Sequence, residues 1–159
     1  MKLSENGWLC NHIQTCEKGE CCMIDVDQSR IATVILNAEL LMYGYLAIRV
    51  SKENEDTVVT WLGMADGGEI VANQQKKYDG LNWESFAEKI CELEIPMDED
   101  DELSINWGLQ LGDSDDELIY GLESGLWDRD LIEKIINLIE EFICDEEPVE
   151  IFRNLFDWA

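Results

Sequence analysis

The chain has 159 residues, of which 36 are Asp or Glu against 11 Lys or Arg, for a formal net charge of −25 at pH 7. Apolar residues make up 46% of it, enough for a folded core without disulfide staples. Charge of this sign sets the chain against nucleic-acid phosphates and anionic membranes, so direct binding to either is excluded, and the self-repulsion calls for a basic partner.

Residues 1–27 read as a separate Cys-rich segment with little periodicity, ahead of a single acidic α+β domain over residues 28–159. Within that segment Cys10, His12, Cys16, Cys21 and Cys22 supply soft ligands, and His12 is the lone histidine. Thiolate and imidazole suit tetrahedral zinc, and a metal would order a stretch with few apolar residues, although the spacing is not that of paired C-x2-C knuckles. The alternative is a small irregular cap holding unpaired cysteines. No enzymatic activity is expected: Cys10 and His12 are too close in sequence to report on tertiary geometry, and no nucleophile signature surrounds them. The N-terminus lacks a basic stretch followed by an apolar run, and no segment reaches the ~20 apolar residues that span a bilayer. A cytoplasmic location is therefore expected, where cysteines stay reduced.

From Ser29, the positions Ile31, Val34, Ile35, Ala38, Leu41 and Met42 recur at helical spacing, with Gly44 to end the helix. A strand over 31–36 competes, because Val and Ile favour β structure. Residues 45–51 and 57–65 read as strands, Asp66, Gly67 and Gly68 as a tight hairpin, and residues 69–74 as the return. Asn82 is a plausible N-cap for a helix whose apolar stripe is Trp83, Phe86, Ile90 and Leu93, ended by Pro96. Residues 103–111 alternate with period two and make the clearest strand; 112–116 form a loop and 117–124 the return strand. Asp130 and Glu133 resemble a capping box opening an amphipathic helix, and Pro148 suits the start of a last short helix. The expected fold is α+β: an antiparallel sheet of about five strands with helices on one face, in the order α-β-β-β-α-β-β-α-α.

The charge is uneven. Residues 1–50 hold six acids and four bases, residues 51–96 ten and four, and residues 97–159 twenty and three. Glu84, Glu88 and Glu92 lie four apart, which puts them on one helix face. Their axial spacing is ~6 Å, against ~7 Å between alternate phosphates of a nucleic-acid strand. Further carboxylates follow at Asp98, Glu99, Asp100, Asp101 and Glu102, at Asp113, Asp115, Asp116 and Glu117, at Glu140 and Glu141, and at Asp145, Glu146 and Glu147. Asp113 to Glu117 fails as an EF-hand, since Leu118 and Ser124 stand where a glycine and an acid are required.

These carboxylates together point to a non-enzymatic inhibitor. It would bind the basic surface of a nucleic-acid-binding enzyme or a nuclease toxin, in the manner of anti-restriction, anti-CRISPR or immunity proteins. Affinity needs apolar anchors, for which Trp127 and Trp158 lie nearest the acid-rich elements, although burial in the core is the favoured reading of both. The element order over residues 29–145 resembles that of the small acidic chaperones of bacterial secretion systems and of YbjN-like domains. That resemblance implies a second reading, an escort chaperone acting as a dimer with exposed apolar grooves. A zinc-stabilised adaptor working through residues 8–22 is a third.

Overall fold

The computed structural model describes residues 21–40, 44–64, 70–96, 105–124 and 129–155. The chain runs through β1 (Cys21–Met23), a 3-10 turn (Gln28–Arg30), β2 (Thr33–Leu40), β3 (Gly44–Glu53), β4 (Asp56–Met64) and β5 (Ile70–Tyr78). Then come α1 (Trp83–Cys91), β6 (Glu94–Pro96), β7 (Ile105–Gly112), β8 (Leu118–Ser124), α2 (Arg129–Ile143), a second 3-10 turn (Glu147–Val149) and α3 (Glu150–Leu155).

Strand β2 organises the molecule and overturns the helix expected from residue 29. It pairs antiparallel with β3 on one side and with β7 on the other, at the centre of a six-stranded sheet ordered β5-β4-β3-β2-β7-β8. The misreading has a physical cause. Val34, Leu36 and Ala38 are buried against the helices, while Thr33, Ile35 and Asn37, which point to the opposite face, are buried too. A strand closed on both faces shows no alternation, and its apolar run can mimic helical spacing. The β-branched Thr33, Val34 and Ile35 then favour the extended form. Gly44, expected to end a helix, opens β3 at φ 120°, a backbone region that L side chains rarely enter.

The sheet thus has six strands where about five were expected, and a separate antiparallel ribbon joins β1 to β6. Pro96 lies in that ribbon and is not the helix terminator; α1 ends at Cys91. The α+β class and the antiparallel pairing are as expected. One core unites Trp83, Phe86, Ala87 and Ile90 of α1 with Leu131, Ile132, Ile135, Ile136 and Ile139 of α2 and with Phe152 of α3. These pack on Leu36, Ile48, Val59, Trp61, Leu109 and Leu111 from alternate strand positions. Full burial of each large apolar side chain contributes about 1.5–3 kcal/mol, so this shared layer is the main attachment of the helices to the sheet.

The seat of α1 is specific. Asn82 caps it by accepting the Ser85 amide at 3.1 Å. The buried Trp83 indole N–H donates to the Ile31 carbonyl at 2.7 Å, fixing the helix start beside the strand that follows the first 3-10 turn. Phe86 stacks on Phe142 of α2 with centroids 4.3 Å apart and planes at 7°. With the apolar side of α1 committed in this way, its other side faces solvent.

Candidate acidic binding surface

The solvent side of α1 carries Glu84, Glu88 and, at its C-cap, Glu92, all exposed. The i, i+4 stripe read from the sequence therefore lies on the outer face. Like charges at this spacing cost a helix a few tenths of a kcal/mol per pair, on the order of 0.2–0.5 kcal/mol, a cost set against the buried face.

The run at residues 113–117 has two kinds of carboxylate. Asp113 is a structural element: its Oδ1 accepts the Asp115 and Glu117 amides at 2.9 Å each, closing the β7–β8 loop as an Asx-type turn. These backbone donors, the Glu117 amide foremost, hold its carboxyl below the usual range. Arg30 approaches its other oxygen at 3.4 Å, and Arg49 pairs with Asp116 at 3.1 Å. Asp115 and Glu117 remain exposed without a cation among the described residues.

The run at residues 145–147 is similarly divided. On β5, Lys76 Nζ lies 3.0 Å from the Asp145 carboxylate and also pairs with Glu147, while the Tyr78 hydroxyl donates to Asp145 at 2.6 Å. The Tyr78 bond is the first cause of the low Asp145 pKa, and the Glu147 and Asp145 carboxylates push the Lys76 pKa up. Glu146 stays exposed and unpaired among the described residues. In the last turns of α2, Glu140 pairs with Arg153 of α3, whose guanidinium also donates to Asn137 at 2.9 Å; Glu141 is exposed. Carboxylates at this end oppose the helix dipole, which favours cations at a C-terminus, and no basic residue occupies the last turn of α2.

The fold gathers these groups around two depressions. One, of about 890 Å³, lies between the N-terminus of α1, the first 3-10 turn and the β7–β8 loop, and brings together Asp27, Glu84, Asp113 and Asp115 with Arg30 and Lys52. Asp27 was not singled out in the sequence, although Asp-x-Ser is a local turn signal: its Oδ1 accepts the Ser29 hydroxyl at 2.7 Å and amide at 3.0 Å. The other lies between α1 and α2 and continues toward Asp145 and Glu146. Nothing in the local sequence marks this pairing of Glu92 with Glu141.

Asp98, Glu99, Asp100, Asp101 and Glu102 lie outside the described residues, as do Cys10, His12, Cys16, Trp127 and Trp158. Cys21 and Cys22 sit on β1, where their backbones register with Pro96 and Ile95. Among the described residues no group of three or more His, Cys, Asp or Glu is arranged to hold a metal. Cys91 is half-buried and burial raises its thiol pKa, the opposite of an activated nucleophile. Among the described residues no helix is long and apolar enough to cross a membrane. No protein-family model matches the chain, and no curated protein or solved structure matches it.

Proposed function

We propose that the protein is a non-enzymatic inhibitor that occupies the basic, nucleic-acid-binding surface of another protein, its carboxylates taking the place of phosphates. The partner is an enzyme acting on nucleic acid or a nuclease toxin, and the setting is cytoplasmic. The observation that carries this reading is the sorting of the acids. Asp113, Asp116, Glu140, Asp145 and Glu147 are tied to the protein's own cations or amides. Glu84, Glu88, Glu92, Glu141 and Glu146 stay exposed without such partners among the described residues. Acids kept unpaired at like-charge spacing and at a helix C-terminus lower stability, so solubility alone is a weak reason for that arrangement. A basic groove that meets them gains association rate and a strong salt dependence.

The chaperone alternative drew on an element order that began with a helix over residues 29–43. The structure has β2 in that place, so the element order supports the chaperone reading less, and it stays the second proposal. Zinc at Cys10, His12, Cys16, Cys21 and Cys22 is a separate proposal, decided by elemental analysis of freshly purified protein: substoichiometric zinc rejects it.

The test of function is competition. Partners are captured from the native host at low salt, and each captured basic protein is titrated with labelled DNA or RNA in the presence and absence of this chain. Loss of nucleic-acid binding that an excess of DNA or RNA overcomes supports the proposal. A captured partner that binds nucleic acid equally well in both conditions rejects it.

A further inference from the structure

The geometry points to a specific contact point on that surface: the trough between α1 and α2, which we infer takes a basic segment of the partner that carries one large apolar side chain. This rests on the reading above and adds to it that the docking is anchored by apolar burial as well as charge.

The trough holds about 420 Å³. Leu93 and the half-buried Leu138 are its apolar members, with Lys89 and Lys134 along it and Glu92 and Glu141 beside them. It shares Asn137 and Glu141 with a second depression of about 510 Å³ bordered by Glu140, Asp145 and Glu146; Arg153 and Lys76 hold Glu140 and Asp145, and Glu141 and Glu146 stay free among the described residues. One end is therefore apolar with mixed charge, and the other offers two free carboxylates, Glu141 and Glu146. Helical geometry aligns Lys134, Leu138 and Glu141 along one side of α2, so an extended or helical segment can follow all three. Two helix C-termini, the negative poles, reinforce the acidity: α1 ends at the trough with Glu92 as its cap, and α2 ends beside the second depression. A guanidinium-rich segment matches the acidic end, and an apolar side chain among its cations finds in the half-buried Leu138, beside the buried Leu93, a surface that shields it from water. A uniformly basic segment leaves that surface unused.

The test uses the full chain and two synthetic probes, nonaarginine and the same peptide with phenylalanine at its centre, read by fluorescence anisotropy at about 0.15 M salt. The phenylalanine peptide is expected to bind about tenfold more tightly. Leu138→Gln removes that advantage and leaves nonaarginine binding unchanged, whereas Glu141→Lys weakens both and Glu55→Lys, an equal charge change on the β3–β4 turn, weakens neither by more than about twofold. Should Leu138→Gln fail to fold, amide shifts on the wild-type chain decide: the phenylalanine peptide is expected to move Leu93, Leu138 and Glu141. Equal affinity of the two peptides for the wild-type chain, or shifts confined to Glu84, Asp113 and Asp115, overturns the trough. Inhibitor function fails on a different result, a captured partner whose nucleic-acid binding is undisturbed, so the two failures are separable.

Discussion

The Tyr78 hydroxyl donates to the Asp145 carboxylate at 2.6 Å, fastening edge strand β5 to the chain that leaves α2, 67 residues further on. Lys76, two residues earlier on the same strand, grips Asp145 and Glu147. Part of the most acidic region thus closes the fold, since it anchors the second 3-10 turn over the sheet before α3 begins.

Tyr78→Phe is expected to cost about 1 kcal/mol at pH 7, measured by urea unfolding. The Tyr78 bond depresses the folded pKa of Asp145, so its contribution is present above the unfolded carboxyl value of ~3.9 and is lost as pH falls through the folded value. The wild-type chain and the variant should therefore converge in stability as pH falls through the lowered folded value of Asp145. A difference that persists undiminished in strong acid excludes the carboxylate as the partner that matters.

Alkali should unfold the protein through its tyrosines. Burial pushes Tyr120 up to about 12, and it also raises Tyr45 and Tyr78, with nearby carboxylates adding to both. A folded pKa above the unfolded value of ~10 gives stability that is complete below that value and lost as pH rises through the folded one. Tyrosinate absorbance should accordingly rise in step with loss of circular dichroism above pH ~10. Ionisation of all four tyrosines in protein that is still folded would contradict this.

The Phe86–Phe142 stack is the aromatic joint between α1 and α2. Phe142→Ala should destabilise the chain by about 2–4 kcal/mol, less than for a wholly enclosed ring because Phe142 is only partly buried. A double-mutant cycle with Phe86→Ala should show coupling of about 1 kcal/mol. Coupling near zero means the rings act through burial alone.

Substitution of the acids should separate binding from stability. Glu88→Lys and Glu92→Lys should weaken the captured partner severalfold at low salt while leaving the unfolding midpoint equal or slightly higher, because like-charge repulsion along α1 is relieved. Asp113→Ala should do the reverse, speeding amide exchange at Asp115 and Glu117, whose donors it accepts, with little change in partner affinity. If both classes alter affinity alike, the division between tied and free carboxylates has no functional meaning.

Features set by neighbours in sequence were legible from the start. Asn82 reads as an N-cap and is one; Trp83, Phe86 and Ile90 read as a buried stripe and are buried; Glu84, Glu88 and Glu92 follow on the outer face. The strand at residues 105–111 showed itself by period two, because the alternate residues Trp107, Leu109 and Leu111 enter the core. Residues 33–38 did not, because both of their faces are buried, which erases the alternation that marks a strand.

What the sequence by itself determined is the acidity, the α+β class and the exposure of the α1 carboxylates, all governed by composition or by spacings within one or two helical turns. Which acids stay free only the tertiary structure decided. Arg30 and Asp113, Arg49 and Asp116, and Lys76 and Asp145 meet across 67 to 83 residues. Such pairs leave no local pattern, since charge–charge contact depends on where the strands and helices come to rest. The trough between Glu92 and Glu141 is likewise a product of the aromatic joint that sets α1 against α2.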